Sequence, residues 1–503
     1  MCAAPVPTAE GHDPLIEQAL ARITGATPHG GNSVRLLKDA DENYPAWLDA
    51  IRAARTRILF ENYIIAEDET GQAFAAALAE RAANGVRVYV LHDWLGCLGR
   101  ASARFWRDLA RSGVEVRTFN PPRVSSPLAW VRRDHRKVLV VDDRVGFVSG
   151  LCVADDWRGE RKRRGGGGEA QRGEPWRDTG VELRGPATAD LVRAFSGTWR
   201  QAGPPLPEPP LPEPTLPEPT LPNADGPAPA KVAAGEGVTA RIIAGRPGTL
   251  STYRLDQFVA SAARDFLWLT DAYFVATNAY VQALVTAARD GVDVRLLVPR
   301  ASDIPALKPI TRAGYRPLIE AGIRVFEWNG PMLHAKTAVA DDRWTRIGST
   351  NLNMASWLTN WELDVVITDA AFAGAMRESY LRDLENATEI VLDSRVRVRP
   401  VEPAPRRPAI RPGSASRLAA GAVSLGNAAG AAVTAGRSLA SAEAKAIASI
   451  GLALLAVAAV ALAFPRLFIA PFAAVLLWIG VSLLARAWRL RRARTEAGTG
   501  PAP

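Results

Sequence analysis

Cysteine is scarce in this chain of 503 residues, which contains only Cys2, Cys97 and Cys152. Small secreted domains that are held by disulfides need several cysteine pairs, so this sequence has no disulfide framework. The amino terminus, MCAAPVPTAEGHDP, also lacks the basic segment and apolar run of a secretory signal peptide. We therefore expect the folded domains to remain in a reducing compartment, the cytoplasm.

Neither positive nor negative charge dominates the chain, because it contains 61 basic and 52 acidic residues, a net charge of +9. An excess of this size suits nucleic acid, an anionic membrane or a phosphate-bearing substrate equally well, so it selects no partner. Apolar residues make up 48% of the chain, which is enough for sizeable cores in two or three domains.

Two parts of the chain have the same order of predicted elements. Each begins with an apolar strand and a loop that contains a tyrosine, Tyr63 or Tyr273, and continues with a helix, a glycine turn and a Val-rich strand. The two parts are RTRILFENYIIAEDETGQAFAAALAERAANGVRVYVL, 55–91, and RDFLWLTDAYFVATNAYVQALVTAARDGVDVRLLV, 264–298. A βαβ unit that occurs twice predicts an α/β fold of two similar domains related by a pseudo-twofold axis, with mixed or parallel sheets flanked by helices.

A long apolar run lies near the carboxyl terminus, where Arg466 is the only charged residue between Ala446 and Ala485. One membrane span needs about 20 residues, so this length predicts a transmembrane hairpin of two helices. Arginines follow the second helix, beside Trp478 and Trp488, which places both ends of the hairpin in the cytoplasm. A soluble hydrophobic helical hairpin is the alternative.

The remaining stretches connect these parts. Prolines in residues 204–231 predict an extended spacer, and the Gly- and Arg-rich residues 158–175 predict a mobile surface loop. Residues 416–445 are typical either of a helix on the membrane surface or of a loosely ordered tether. We divide the chain into an N-terminal segment (1–32), a first α/β domain (33–203), a Pro-rich linker (204–235), a second α/β domain (236–400), a linker or amphipathic segment (401–445), two transmembrane helices (446–486) and a basic cytoplasmic tail (487–503).

A short polar motif occurs once in each predicted domain. Residues two apart on a strand point to the same face, so the histidine and the lysine of each copy share a face. A single pair of this kind would be an ordinary surface feature, whereas two copies at equal spacing indicate a function. The copies are DHRKVLVVDDRVGFVSG, with His135, Lys137 and Asp142, and LHAKTAVADDRWTRIGSTN, with His334, Lys336 and Asp341.

Two copies that meet across the pseudo-twofold axis would bring two imidazoles and two ammonium groups into one cleft. The ammonium groups neutralise the non-bridging oxygens of a phosphoryl group, which is the electrostatic part of phosphoryl transfer. One imidazole attacks phosphorus while the other protonates the leaving oxygen, and both tasks suit a group that titrates near neutral pH. The doubled motif therefore predicts a phosphoryl-transfer site shared by the two domains.

The pattern His-x-Lys-x4-Asp, present twice, resembles the phospholipase D superfamily. Within it the chain is similar to the bacterial cardiolipin synthases, over roughly Ile51 to Thr368, through FENYIIAEDETGQAF, RDHRKVLVVD, PWRDTGVELRGP, HAKTAVADDRWTRIGSTNLN and WELDVVI. The resemblance implies two phospholipase D-like domains and a ping-pong phosphatidyl transfer through a phosphohistidine, with no metal or cofactor. By the family's usual assignment His135 is the nucleophile and His334 is the acid.

The resemblance also implies roles for residues around the motifs. Asp178 and Glu362 match acids that orient the histidines through their second ring nitrogen, and Asn351, after Ser349 in the Gly-Ser turn, fits an asparagine that contacts phosphate. The motif acids, Asp142 and Asp341, stand among the candidate catalytic residues, although holding turns and ion pairs near the site suits them better than contact with the substrate.

The first domain departs from this pattern at Cys152, which stands where the second domain has Asn351 and removes an amide donor. We interpret Cys152 as a small buried side chain, with a reactive thiol as the alternative. Tyr63 and Tyr273 either line the entrance of the cleft or pack in a core. His92 lacks a lysine partner, so we interpret it as structural.

Three functions fit these observations. They are a membrane-anchored transferase that joins two phosphatidylglycerols into cardiolipin and releases glycerol, a phospholipase D-type hydrolase or nuclease of the same fold, and a non-catalytic lipid-binding relative. Intact motifs in both domains disfavour the last, and the hairpin favours the first. We predict a phosphatidyltransferase acting on phosphatidylglycerol, or also on phosphatidylethanolamine, at the bacterial inner membrane with its domains facing the cytoplasm, and no nucleic acid partner. The acceptor and the oligomeric state stay open.

Overall fold

The computed structural model describes residues 14–122, 132–161, 171–172, 174–207, 237–305, 307–392, 398–400 and 477–478. In this part of the chain no helix is long and apolar enough to cross a membrane. The predicted transmembrane hairpin, 446–486, lies outside the described residues apart from Leu477 and Trp478. The predicted segments 401–445 and 487–503 and most of the Pro-rich linker lie outside them as well.

The first half of the structure contains a mixed sheet with helices on both faces and a separate antiparallel pair of short strands, β7 and β8. Its strands are β1 (His29–Lys38), β2 (Arg57–Asn62), β3 (Arg87–Asp93), β4 (Glu115–Phe119), β5 (Lys137–Val141), β6 (Val145–Ser149), β7 (Glu160–Arg161), β8 (Gln171–Arg172) and β9 (Thr179–Arg184). Its helices are α1 (Pro14–Thr24), α2 (Asp39–Ala53), α3 (Glu69–Ala83), α4 (Trp94–Cys97), α5 (Ala103–Arg111), α6 (Asp155–Arg158) and α7 (Thr188–Ala202).

The second half repeats this arrangement. Its strands are β10 (Val238–Gly245), β11 (Phe266–Thr270), β12 (Asp293–Pro299), β13 (Arg324–Trp328), β14 (Thr337–Ala340), β15 (Trp344–Gly348), β16 (Glu362–Thr368), β17 (Ala387–Leu392) and β18 (Val398–Pro400). Its helices are α8 (Ser251–Ala262), α9 (Asn278–Arg289), α10 (Leu307–Ala313), α11 (Tyr315–Glu320) and α12 (Ala370–Glu385), with a π-helical turn at Ala355–Thr359.

The two predicted βαβ units are present. Strand β2 pairs in parallel with β3 across helix α3, and β11 pairs in parallel with β12 across α9. Each helix is followed by a glycine in the left-handed region, Gly85 at φ 86° and Gly291 at φ 97°, a conformation that costs glycine little. The prediction of a duplicated α/β fold with mixed sheets is confirmed.

The halves are joined edge to edge. The strand order is β4-β3-β2-β5-β6-β9-β1 in the first half and β10-β16-β15-β14-β11-β12-β13-β17-β18 in the second, and β1 pairs antiparallel with β10. Asn32 fixes this junction, because its side-chain amide donates to the carbonyl of Val238 (3.1 Å) and its Oδ1 accepts the N–H of Ala187 (3.0 Å). The pseudo-twofold axis therefore passes between β1 and β10.

One hydrophobic core lies between the two sheets. It contains residues of β5, β6 and β9 together with residues of β14, β15 and β16, and it is closed by Phe195 and Trp199 of α7 and by Phe372 and Tyr380 of α12. A second core lies under α2, α3 and α5, and a third lies under α8, α9 and α11. Because the central core takes side chains from both halves, it holds the two motif strands in one rigid body.

Helix α1 precedes the first sheet but packs on the second half. Leu20 is buried among Leu255 and Val259 of α8, and Glu17 accepts a hydrogen bond from Arg241 of β10 (2.6 Å). This contact adds a second connection between the halves, far along the chain from the Pro-rich linker.

The motif acids Asp142 and Asp341 hold turns. Both have φ 52°, and the carboxylate of Asp142 accepts the backbone N–H groups of Arg55 (2.8 Å), Thr56 (2.8 Å) and Arg57 (3.0 Å). Asp341 accepts the corresponding N–H groups of residues 264, 265 and 266 (2.9, 2.9 and 3.0 Å). A strand rises about 3.3 Å per residue, so each acid lies roughly 17 Å from its motif lysine. Their place among the candidate catalytic residues is therefore corrected, because they start the neighbouring strands instead.

Replacing Asp142 by alanine tests this structural role. Three backbone donors lose a charged acceptor, so we expect the free energy of unfolding to fall by roughly 1–3 kcal/mol, measured by urea denaturation. The rate of the folded enzyme should stay close to that of the wild type. Asp49→Ala is the control, since the carboxylate of Asp49 is 75% exposed and, among the described residues, pairs only with exposed Arg52. An Asp142→Ala variant that is as stable as the wild type but loses a hundredfold in rate would instead indicate a catalytic role for Asp142.

Candidate active site

Both motifs lie at the same edge of the fold. Lys137 begins β5 and Thr337 begins β14, so each histidine stands just before its strand. These strands run antiparallel to β2 and β11, whose last residues, Asn62 and Thr270, pair with Lys137 and Thr337. The histidines therefore sit where the parallel strands end, the edge at which α/β sheets bind ligands.

Each histidine is held by a carboxylate from the other half. His135 Nδ1 lies 2.9 Å from Glu362 Oε2 and 3.1 Å from Oε1, and His334 Nδ1 lies 2.8 Å from Asp178 Oδ2. A carboxylate at Nδ1 keeps the proton on that nitrogen and leaves the lone pair on Nε2. The two motifs are therefore parts of one site, and neither half holds its own histidine.

Backbone hydrogen bonds also join each motif to the opposite half. The N–H of His135 donates to the carbonyl of Trp361 (2.9 Å), and the N–H of Trp361 donates to Arg133 (2.8 Å). In the other direction His334 donates to Arg177 (2.7 Å), and Arg177 donates to Met332 (2.9 Å). The segments before both histidines are thus strand-like extensions of the opposite half.

The two carboxylates have different surroundings. Glu362 Oε2 accepts the hydroxyl of Ser349 (2.6 Å), and Oε1 accepts the amide of Asn360 (3.2 Å). Asp178 Oδ2 accepts the indole N–H of Trp157 (2.9 Å), while Gly150 takes the position of Ser349. A Cβ at Gly150 would come within 2.2 Å of Asp178 Oδ1, so this carboxylate fills the space that a serine would need. Ser349 and Gly150 therefore support the two histidines by different means.

The lysines are buried beside the histidines. Lys137 and Lys336 are each 1% exposed, and the ammonium group of each donates to the backbone carbonyl of its own motif histidine. Each also lies over a tyrosine ring, Lys137 at 5.2 Å from the centre of Tyr63 and Lys336 at 5.8 Å from that of Tyr273. The backbone carbonyls and rings fix the ammonium groups and leave their remaining N–H donors for an anion.

Aromatic rings surround both imidazoles. Tyr63 packs edge-on against His135 at 4.9 Å, and Tyr273 packs edge-on against His334 at 5.8 Å. Trp157 and Trp176 enclose His334 further, at 5.3 and 5.8 Å. Both tyrosines therefore contact the motif histidines and also pack against a hydrophobic core. The structure adds two tryptophans that the sequence did not single out.

The two motif histidines and the two motif lysines are close enough to change one another's pKa values. Burial lowers the pKa of His135, and Lys137 and Lys336 lower it further against the opposing effect of Glu362. Burial and Lys336, with a smaller contribution from Lys137, lower the pKa of His334 to about 3. Each lysine thus acts on the histidine of the other half. These lowered pKa values favour neutral imidazoles at pH 7.

The pKa values of the two carboxylates and of Lys336 are also shifted by their neighbours. Burial would raise the pKa of Glu362, but His135, Lys137 and Ser349 hold it below its usual value, and His334 does the same for Asp178. Burial lowers the pKa of Lys336 to about 8, although Asp178 opposes this. Two carboxylates and two ammonium groups give a site that is close to neutral, so a phosphodiester anion can enter together with one proton.

Asn351 and Cys152 occupy equivalent positions after β15 and β6. Asn351 is 4% exposed, and its side chain makes no hydrogen bond to any residue that the structure describes. Cys152 is 1% exposed, and burial raises the pKa of its thiol, so it is a small buried side chain as interpreted from the sequence. One half thus has an amide side chain without a hydrogen-bond partner at the position where the other half has a thiol. The two halves of the site are therefore chemically different.

A buried polar cluster beside His135 was missed by the sequence analysis. Arg136, the residue between the motif histidine and lysine, is fully buried and donates to the carbonyls of Glu362 (3.0 Å) and Gly245 (3.0 Å) of the second half. Burial and the neighbouring Glu61 raise the pKa of Asp134 well above its usual value. Ala335 and Leu333 stand at the corresponding positions of the other motif, so comparing the two copies was the available signal.

His92 has the structural role predicted for it. Its ring stacks on Trp106 with centres 3.8 Å apart, it is hydrogen-bonded to Thr118 (3.0 Å), and burial lowers its pKa to about 4. Across the described ranges no group of three or more His, Cys, Asp or Glu side chains is arranged to hold a metal ion.

Replacing Glu362 by glutamine tests the hydrogen bond between His135 and the carboxylate of the other half. The imidazole of His135 loses its ionised partner, so we expect the turnover rate to fall by about a hundredfold. Because Glu362 raises the pKa of His135, its loss should move the acid limb of the rate profile to lower pH. The measurement is release of the leaving alcohol from a phosphodiester across a pH series. Ser349→Ala keeps the carboxylate and should cost less than about tenfold. Equal losses in both variants would contradict the assignment.

Comparisons with known proteins agree with this geometry. Residues 47–153 and 258–384 match the family described as cardiolipin synthase, PLD-like domain. The chain is 33% identical over 387 residues to cardiolipin synthase A of Pseudomonas aeruginosa, an alignment that covers 76% of this chain and 73% of that protein. It is 29% identical over 386 residues to the cardiolipin synthase of Halalkalibacterium halodurans, covering 76% and 71%.

Among solved structures, the phosphatidylserine synthase of Haemophilus influenzae superposes with a TM-score of 0.53 at 16% identity, over 74% of this chain and 91% of that one. This likeness shows a shared fold. The relatives and the matched family together show that the chain belongs to the cardiolipin synthase family of phospholipase D-like phosphatidyltransferases.

Proposed function

We propose that this protein is a cardiolipin synthase that moves the phosphatidyl group of one phosphatidylglycerol to the hydroxyl of a second and releases glycerol. The observation that carries the proposal is the meeting of the two His-x-Lys pairs, each histidine held by a carboxylate of the other half. The curated relatives named cardiolipin synthase support the choice of substrate.

In the first step, Nε2 of His135 attacks phosphorus, the bond from phosphorus to the glycerol oxygen breaks, and His334 gives its proton to that oxygen. In the second step, a lipid hydroxyl loses its proton to His334 and attacks phosphorus, and the bond from phosphorus to His135 breaks. Lys137 and Lys336 neutralise the non-bridging oxygens in both steps. The unpartnered amide of Asn351 supplies a further contact to the phosphate.

The charge of the substrate favours protonation of His334. The pKa of this histidine is lowered by burial and by Lys336, and a phosphodiester anion bound to that lysine offsets the second effect. The side chain of His135 is 11% exposed, against 6% for His334, which supports His135 as the group that meets phosphorus. The Nδ1 carboxylates then stabilise whichever imidazole carries charge.

The apolar residues 446–486 supply the proposed membrane anchor, on the strength of the sequence pattern. The arginines that follow them support a location of the catalytic halves on the cytoplasmic side of a bacterial inner membrane. Phosphatidylethanolamine is the second lipid that this site can take, because its phosphodiester has the same charge-bearing oxygens.

Purified full-length protein in detergent, incubated with phosphatidylglycerol, tests the function. We expect cardiolipin and glycerol in equal amounts, resolved by mass spectrometry, and His135→Ala and His334→Ala should each lose at least about a hundredfold in rate. Formation of phosphatidic acid without cardiolipin would identify a hydrolase instead. An unaffected rate in either variant would remove the mechanism.

The polarity of the two histidines has a separate test. A reaction with phosphatidylglycerol, stopped within the first turnover by denaturant at neutral pH, should leave a phosphatidyl adduct on the peptide that contains His135. Peptide mass spectrometry locates the adduct, and His135→Ala should abolish it because the attacking nitrogen is gone. An adduct on His334 would reverse the two roles.

A further inference from the structure

Trp157 lies against the pair formed by His334 and Asp178. Its indole N–H donates to Oδ2 of Asp178 (2.9 Å), the same oxygen that lies 2.8 Å from Nδ1 of His334. The other oxygen, Oδ1, accepts the backbone N–H of Thr179 (2.8 Å). Asp178 is 0% exposed and Trp157 is 1% exposed. The carboxylate that orients His334 therefore shares one buried oxygen between the imidazole and the indole.

The indole is held in place by the short helix α6. Asp155, which begins this helix, donates its N–H to the carboxylate of Asp68 (2.8 Å), and its own carboxylate accepts the N–H of Thr70 in the first turn of α3 (2.9 Å). The ring of Trp157 packs against that of Trp176, with ring centres 4.6 Å apart. These contacts fix the direction of the indole N–H before the substrate binds.

The first histidine has a different donor beside its carboxylate. Ser349 donates its hydroxyl to Oε2 of Glu362 (2.6 Å), and the same hydroxyl oxygen accepts the N–H of Leu363 (2.9 Å). A hydroxyl can turn and can both donate and accept, whereas an indole nitrogen only donates. Glu362 also reaches its histidine with both oxygens, at 2.9 and 3.1 Å. Asp178 reaches its histidine through one oxygen, and a rigid donor contacts that oxygen.

A fixed donor at Oδ2 affects the proton between Asp178 and His334. If the carboxylate took this proton on Oδ2, the indole N–H would have a poorer acceptor, so the proton stays on Nδ1 of the imidazole. Burial would raise the pKa of Asp178, but His334, Lys336 and Trp157 hold it below its usual value. A weakly basic carboxylate stabilises an imidazolium less, which makes the Nε2–H of His334 a stronger acid.

The second half has a tryptophan at the equivalent position with a different partner. Backbone bridges at Val153 and Asn353 mark equivalent points of the two halves, and Trp157 and Trp357 each follow their bridge by four residues. The indole N–H of Trp357 donates to the buried carboxylate of Asp256 in helix α8 (2.8 Å). The same side chain thus supports the hydrophobic core in one half and a carboxylate of the site in the other.

We propose that Trp157 is a positioning residue for the acid of the reaction, which acts through Asp178 to fix the direction and the Nδ1 proton of His334. Nε2 of this histidine then delivers its proton to the leaving oxygen. This inference rests on the proposed function, because it takes His334 as the acid. Proton delivery matters most for a poor leaving group such as glycerol and little for a good one such as p-nitrophenol. A tryptophan that only stabilises the fold would affect both leaving groups alike.

Competition between two leaving groups in one incubation tests this role. Full-length protein in detergent receives phosphatidylglycerol together with phosphatidyl-p-nitrophenol, and the initial rates of glycerol and p-nitrophenol release are measured. The ratio of the two rates comes from the active molecules alone, so partly unfolded protein does not change it. Trp157→Phe removes the indole N–H, and we expect the ratio of glycerol to p-nitrophenol to fall by about fivefold, part of the effect of losing a hydrogen bond to a charged group. Trp157→Met, which also lacks an N–H donor, should show a similar fall.

Trp357→Phe is the matched control, because it removes the same indole donor from the buried carboxylate of Asp256. Its ratio should equal that of the wild type, whereas His334→Ala sets the limit with a loss of at least about a hundredfold in glycerol release. A wild-type ratio in both Trp157 variants, or an equal fall in Trp357→Phe, would overturn the role of Trp157 and leave the synthase standing. Wild-type protein that releases glycerol but forms no cardiolipin would overturn the synthase, and the ratios would still decide the role of Trp157.

Discussion

The hydrogen bonds from His135 to Glu362 and from His334 to Asp178 are the constraint on which the rest of the structure depends, because each crosses between the halves. They require that Asp178, just before β9, and Glu362, the first residue of β16, reach the opposite motif. The pairing of β1 with β10 must therefore join the sheets in the correct register. The central core and the buried Arg136 keep that register. A site built this way is preorganised, since the protein fixes tautomer, direction and charge before the substrate arrives.

Much of the fold could be predicted because local patterns determine it. Alternation, helical spacing and the glycine turns at Gly85 and Gly291 gave both βαβ units, and their repetition gave the pseudo-twofold axis. The continuous strand order through β1 and β10 could not be predicted, because which strand edges pair depends on contacts far apart in sequence. The same reason hid the packing of α1 against α8, where Leu20 enters a core of the other half.

The site was predictable as far as the motif reaches. Spacing placed each lysine beside its histidine, and the resemblance supplied Asp178 and Glu362, but nothing in the chain indicated that each acid serves the other half. The role of Trp157 could not be predicted either, because its hydrogen bond to Asp178 depends on a turn outside the motif. Asp142 and Asp341 show the opposite error, in which residues belong to the pattern because the strand needs them and not because the reaction does.

The crossing of the two pairs also bears on how such an enzyme is made. During synthesis the ribosome releases Asp178 long before its histidine and His135 long before Glu362, so a chain that is interrupted before residue 362 carries a phosphodiester-cleaving motif whose imidazole has no partner. Such a fragment lacks the carboxylate that fixes the tautomer of His135. The oriented form of this imidazole therefore needs both halves of the chain.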